Sequence, residues 1–231
     1  MIIVPNQPFG IGDIIFCQAL VKYIAAGSKI VWPVWPQFVD QLRRAYPDIE
    51  FVSSKTCEYD LNRNDQFEAV NRKGERYTQL PIRFADSIMR VRYDDCMKAK
   101  YMMYGLDFNM WVKDAMWHRD TQREESLMQQ LVKKEEYTFS NATFGSDCKM
   151  QVPVPNCDVK MQILDGFSMF DWCKIIENAS EIHTVSTSII YLLEMLDLKA
   201  KEVHLYQRPI PGQTFSNVSY ILQRHKYILH G

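Results

Sequence analysis

Residues 170–206 read FDWCKIIENAS, EIHTV, STS, IIYLLEMLDL and KAKEVHLY in succession. The first segment has helical periodicity and the second is a short β-branched run. The third is a cluster of hydroxyls, the fourth is apolar on a helical period, and the last alternates as a strand. The order helix, strand, polar turn, helix, strand predicts one α/β unit whose turn lies at the carboxyl end of a strand. In open α/β sheets ligands bind at that edge. Ser186, Thr187 and Ser188 fall where the next helix begins, so free main-chain N–H groups and hydroxyls are expected together there, as an anion site.

Working outward, the amino-terminal part repeats the alternation. Ile2–Val4 predicts a strand, residues 5–12 a turn, and Asp13–Ala26 a helix closed near Gly27. Lys29–Trp35 reads as a buried strand, and Pro36 opens a helix that Pro47 closes. Ile49–Ser53 reads as a third strand. Residues 55–76 read as a polar loop with one edge strand, Tyr77–Phe84 as a strand, and 86–134 as mostly helical. The Met and Tyr residues of that stretch suit core or domain-joining surface. A second α/β pattern begins at Glu136, with strands at Tyr137–Phe139, Lys149–Val154 and finally Lys226–Leu229. The fold class expected is α/β, two Rossmann-like halves with parallel sheets facing each other, over residues 1–110 and 111–231.

Bulk properties narrow the function. In 231 residues, 27 Lys and Arg against 28 Asp and Glu leave a net charge of −1, which argues against nucleic acid as the main partner. No apolar run approaches a membrane span, and MIIVPNQPFG reads as a strand and turn rather than a signal peptide, so a cytoplasmic protein is expected. The six cysteines, among them Cys148, form no close pair or Cys/His cluster and read as reduced thiols. The N-x-S/T triplets at Asn141, Asn178 and Asn217 are taken as chance. Asp94-Asp95 lacks D-x-D spacing, and His183 reads as a satisfied strand histidine. No metal and no cofactor are expected.

Four further groups could carry chemistry. Gly10 and Gly12 flank the first turn, where glycine permits a tight bend and close ligand approach, and Asp13 is either a helix cap or a working carboxylate. The GxGxxG and GxxxxGK[ST] patterns are absent, which disfavours a dinucleotide site and a P-loop. Ser140 and Asn141 are read as a turn after a strand that shares a phosphate with residues 186–188. Asp165, in the Asp165-Gly166 turn before Ser168, is a candidate ribose acceptor, with a plain turn and cap as the simpler account. Arg119, on a predicted charged helix, is the candidate for reaching a diphosphate.

The segments Gly10-Ile-Gly-Asp13-Ile-Ile-Phe-Cys-Gln-Ala-Leu20, FVDQLRRAYPDIEFV (38–52) and IIENASEIHTVSTSIIYLLEMLDLKAKEVHLY (175–206) together resemble glycosyltransferases of GT-B architecture, in the manner of the bacterial heptosyltransferases. The resemblance covers about the first 55 and the last 95 residues. It implies two facing Rossmann-like domains, the amino-terminal one on the acceptor side and the carboxyl-terminal one holding a nucleotide-sugar donor. It implies metal-independent, inverting transfer of a sugar to a saccharide or other hydroxyl acceptor, with Asp13 as the base. Two alternatives stay open: a nucleotide-sugar isomerase, and a non-catalytic module of the same fold that binds a saccharide or a protein.

Overall fold

The computed structural model describes residues 1–65, 67–92, 95–145, 150–209, 215 and 218–231; Asp94, Cys148, Lys149 and Asn217 of the readings above lie outside them. The chain divides into two compact units, Met1–His118 and Arg119–Gly231. Residues 111–118 therefore pack with the first unit, where the indole of Trp111 lies 5.5 Å, centroid to centroid, from Phe16.

In the first unit β1 (Ile2–Pro5) leads through α1 (Ile11–Phe16) and α2 (Gln18–Ile24) to β2 (Lys29–Val34). Then α3 (Val39–Ala45) leads to β3 (Glu50–Ser53), followed by the hairpin β4 (Phe67–Val70) and β5 (Arg76–Leu80). Among the described residues these strands form a sheet of order β3-β2-β1-β5-β4. All neighbours are parallel except β4, which pairs antiparallel to β5 at the edge. The helix expected over residues 13–26 is two helices, because Cys17 leaves helical geometry at φ −85° and ψ 0°. The strand expected over 77–84 stops at Leu80, since Pro81 has no N–H for the ladder and a 3₁₀ turn follows at Ile82–Phe84. Pro33 is tolerated inside β2 for a related reason. The N–H groups of Lys29 and Trp35 point to the β1 side, so alternation turns Pro33 that way too, beyond the last β1 pair at Ile30.

The helical stretch is α4 (Ala85–Met89), α5 (Cys96–Met102) and α6 (Met110–Lys113), with α7 (Thr121–Leu131) opening the second unit. Of the Met/Tyr stripe only Met97 and Tyr101 are core among the described residues, while Met89, Met102 and Met116 are exposed. Tyr101 is fully buried, meets Phe16 edge to face at 5.1 Å, and donates its hydroxyl to the Phe16 carbonyl at 2.6 Å.

The second unit contains β6 (Thr138–Asn141), a ribbon of β7 (Thr143–Phe144) and β8 (Met150–Gln151), and β9 (Val159–Lys160). Then come α8 (Cys173–Asn178), β10 (Glu181–Val185), α9 (Ile189–Met195), β11 (Glu202–Tyr206) and β12 (Ile228–His230). Its main sheet has the order β12-β11-β10-β6-β9, all parallel. The opening stretch thus folds as the unit read from it, with Ser186 at the carboxyl end of β10. Ser140 and Asn141 are not in a turn: they are buried inside β6, paired with His183 and Thr184. The pairing with β10 carries the strand two residues beyond the point where polarity suggested it would end.

Candidate functional site

Strand order locates the places where ligands bind in sheets of this kind. In the first unit the chain runs from β1 outward to β3 and returns to β5 on the other side of β1, so the switch point lies at the carboxyl ends of β1 and β5. In the second unit β9 lies on one side of β6 and β10 on the other, and the switch point lies at their carboxyl ends. A crevice opens where the connections part to opposite faces. The sequence-derived residues Gly10, Gly12 and Asp13 follow the first of these ends. Ser140, Asn141, Ser186, Thr187 and Ser188 gather at the second.

At the first switch point the loop after β1 is held by its own polar side chains. Asn6 donates Nδ2 to the carbonyls of Leu61 and Arg63, at 3.0 and 3.2 Å. Gln7 donates Nε2 to the Phe9 carbonyl at 2.7 Å, and its own carbonyl accepts the Trp32 indole N–H at 3.1 Å. Gly10 then takes φ 74°, a left-handed conformation that L side chains rarely adopt, and starts α1. Gly12 is a buried helical residue of α1, not part of the bend.

Asp13, in the first turn of α1, meets a partner that local reading missed. Lys100, 87 residues away on α5, places Nζ 2.5 Å from Asp13 Oδ1 and 2.9 Å from Gln7 Oε1. The ammonium is buried at 7% exposure, whereas the carboxylate is 36% exposed and faces outward. Burial alone would push the Lys100 pKa down, but the Asp13 carboxylate beside it outweighs that, and the pKa is raised. The lysine therefore stays charged and holds Asp13 in one orientation. Two thiols nearby are not nucleophiles: burial pushes Cys17 up to about 12 and also raises Cys96, against the lowering influence of Lys100. Asn6 Oδ1 and Gln79 Oε1 are buried without a hydrogen-bond partner among the described residues, which marks this end of the sheet as polar beyond what packing requires.

Gly10 and Asp13 depend on each other. A Cβ at residue 10 would lie 2.5 Å from Asp13 Oδ2. Gly10→Ala is expected to cost about 1–2 kcal/mol from left-handed backbone strain and to drive the carboxylate off Lys100. Urea unfolding reads the first effect. An unchanged midpoint would show that the loop relaxes freely.

At the second switch point Asn141 Nδ2 lies 3.3 Å from Thr184 Oγ1, across the β6–β10 pair. The Ser186 N–H continues the sheet ladder to the Tyr206 carbonyl at 2.9 Å. The expectation of free amides here holds for part of the turn: among the described residues the Thr187 and Ser188 N–H groups have no hydrogen-bond partner, whereas those of the next three residues do. The Ile189 N–H is turned onto Thr187 Oγ1 at 3.4 Å, the Ile190 N–H onto the Thr187 carbonyl at 3.1 Å, and the Tyr191 N–H onto the Ser188 carbonyl at 3.2 Å. The Ser188 hydroxyl points to Met169 Sδ at 3.4 Å. The first three amides of α9 are thus satisfied internally, and what the turn offers a ligand is the Thr187 and Ser188 N–H groups beside their hydroxyls. Buried Asn141 is unsuited to carrying a glycan.

Two sequence candidates lie elsewhere. Arg119 precedes α7 rather than standing on it, and its guanidinium is gripped by two carboxylates. Nε lies 2.9 Å from Glu124 Oε1, NH1 is 2.7 Å from Glu177 Oε1, and NH2 reaches both residues. Bidentate pairing on both sides leaves it neutralised, not poised for phosphate. Asp165 is exposed on its turn. The Gly166 carbonyl accepts from Arg123, whose guanidinium lies 5.2 Å over the Phe167 ring. Ser168 and Asp171 form a capping box, so this segment has the turn-and-cap role.

Two open depressions of about 610 and 510 Å³ lie on the first unit, away from Asp13. Part of their charged lining is self-paired, Lys29 with Glu50 at 2.7 Å and Lys73 with Glu58. No helix of the described residues is long and apolar enough to cross a membrane.

Compared with protein-family descriptions, curated proteins and solved structures, the chain gives no match.

Proposed function

We propose that the chain is a sugar-transfer enzyme of GT-B type. The first unit binds the acceptor hydroxyl and the second binds a nucleotide-activated donor, without need of a divalent ion in the transfer. One observation carries the reading. At the switch point of a doubly wound sheet a half-exposed carboxylate, Asp13, is fixed by a buried lysine drawn from a distant helix. A buried charge is costly to keep for stability alone, and this carboxylate sits where ligands enter such sheets. The partly exposed Thr187 and Ser188, with unpartnered N–H groups at the corresponding place in the second unit, support a donor site there.

In this mechanism Asp13 accepts the proton of the acceptor hydroxyl as that oxygen attacks the anomeric carbon. Lys100 and Gln7 keep its carboxylate aimed. The leaving nucleoside diphosphate gains negative charge, which the hydroxyls at residues 186–188 meet with hydrogen bonds.

The test is calorimetry with a panel of nucleoside diphosphates, followed by turnover with the matching nucleotide sugar. Asp13→Asn keeps an acceptor for Lys100 and is expected to lower turnover on the order of 10²-fold, with diphosphate affinity unchanged. Full turnover in that variant would remove Asp13 as base. Indifference to every nucleotide would leave a non-catalytic saccharide-binding module. Epimerised donor formed without acceptor would point to an isomerase.

A further inference from the structure

Strands β10 and β11 carry the same pattern, Glu181-Ile182-His183 and Glu202-Val203-His204, and their register sets Glu181 beside Glu202 and His183 beside His204. Alternate residues of a strand share a face, so two carboxylates and two imidazoles collect on one face of the second unit's sheet. The two imidazole rings stack with centroids 4.4 Å apart and planes 8° from parallel.

Both rings turn Nε2 toward one carboxylate. Glu181 Oε1 is 2.7 Å from His183 Nε2 and 3.3 Å from His204 Nε2, and Glu202 Oε2 is 3.2 Å from His204 Nε2. The donor atoms of Glu181, His183 and His204 all lie within 4.8 Å of one another. A tetrahedral ion with bonds of about 2.1 Å spaces its ligand atoms by about 3.4 Å, so the donor atoms are already near the required spacing and coordination asks for a turn of the imidazole rings.

An independent observation concerns the outer nitrogens. His183 Nδ1 lies 3.1 Å from the Tyr206 hydroxyl, and His204 Nδ1 lies 2.9 Å from His230 Nε2. The His230 ring is itself stacked on Tyr206 at 4.4 Å. Each imidazole is thus held from behind, as metal-binding histidines require. Both inner nitrogens flank one carboxylate oxygen, although the parallel rings must tilt toward each other for their lone pairs to meet at one ion. The paired groups of both carboxylates are imidazoles, which carry no permanent charge. A dication between them would neutralise both acids.

We propose that this cluster is a binding site for a late first-row divalent cation of the Zn²⁺ class. His183 Nε2, His204 Nε2 and Glu181 Oε1 are its ligands, and Glu202 closes the fourth position. Two imidazoles select such ions over Mg²⁺ and Ca²⁺, which prefer oxygen. The 38% exposure of Glu181 gives an entry path, while His183 and His204 are 7% and 12% exposed. Glu181 begins β10 and Ser186 follows its end, about 16 Å apart along the strand. The ion would not reach the polar turn, and the site stands independently of the sugar-transfer reading.

The experiment uses the full chain without a histidine tag, stripped by chelator and titrated with Zn²⁺ in a calorimeter. One ion per chain at micromolar affinity or better is expected, with a thermal midpoint raised by Zn²⁺ and not by Mg²⁺. His204→Gln and Glu181→Gln are each expected to weaken binding more than ~100-fold, and Tyr206→Phe about 10-fold. Co²⁺ should give a tetrahedral visible band that His204→Gln abolishes. Should His204→Gln fail to fold, the more exposed Glu181→Gln decides. Absence of micromolar binding overturns the proposal. So does unchanged affinity in a Glu181→Gln or His204→Gln protein that keeps the parent circular dichroism.

Discussion

Glu194→Ala is expected to lower the unfolding free energy of the second unit by about 4 kcal/mol. Glu194 is completely buried on α9, and its carboxylate ties down the chain that leads to β12. Oε2 accepts the main-chain N–H groups of Gln223 at 2.8 Å and Arg224 at 2.6 Å, and Oε1 accepts the Tyr227 hydroxyl at 2.6 Å. The Arg224 side chain returns to the Glu194 carbonyl at 3.1 Å and to Asp197 at 2.7 Å. Burial first, and the adjacent Glu194 second, push the Tyr227 phenol far up, so it remains a donor at all working pH values. Alanine would strand two main-chain N–H groups and a phenol, each costing about 1–3 kcal/mol where water cannot replace the acceptor. Glu194→Gln keeps one acceptor oxygen and should cost about half as much. Urea unfolding measures the total, and accelerated hydrogen exchange at Gln223 and Arg224 localises it. A loss below about 1 kcal/mol would show that the carboxyl-terminal segment is held by other means.

Arg119→Leu is expected to cost about 3–5 kcal/mol, the usual penalty for removing one member of a buried ion cluster. Glu124 is only 2% exposed and Glu177 20%, so without the guanidinium two carboxylates face each other out of water. The pairing with Glu124 is the largest reason that the Arg119 pKa rises far above its ordinary value, so the arginine itself never discharges. Arg119→Lys should recover little, because one ammonium cannot fork to both acids. The double variant Arg119→Leu/Glu124→Leu should be more stable than Arg119→Leu alone, since the buried carboxylate leaves with its partner. Chemical denaturation of the parent, Arg119→Leu, Glu124→Leu and the double variant gives the coupling. Nucleotide affinity should be the same in the Arg119 variants that remain folded. A selective loss of affinity would restore Arg119 to the ligand site.

These two residues show why local reading stops where it does. Residues 189–196 repeat apolar side chains at helical spacing, and α9 follows from that pattern. The same pattern makes Glu194 look like a solvent-side acid, because its three partners lie 29 to 33 residues away. Arg119 stands in a run of charges, which in isolation reads as a solvated face. Its neutralisation depends on Glu177, 58 residues on. Asp13 is the intermediate case. A carboxylate in the first turn after Gly10 was legible as a candidate, but Lys100 lies in a Met/Tyr helix whose packing against α1 no local window reveals. A sequence signal for it exists, a lone lysine on the apolar face of α5, where a buried charge needs a partner.

What the sequence determined by itself is the alternation of strands and helices, hence parallel α/β sheets, and the polar turns that follow β1 and β10. Those properties are periodic and local: the side-chain alternation of a strand and the apolar stripe of a helix are written within about ten residues. Tertiary structure alone decided which strands are neighbours, and therefore where the switch points fall. It also decided that Ser140 and Asn141 belong to β6, that the first three amides of α9 are satisfied while those of Thr187 and Ser188 are not, and that two Glu-x-His tripeptides lie side by side. Strand register and charge burial depend on residues far apart in the chain, and their energies exist only once water has been excluded between them.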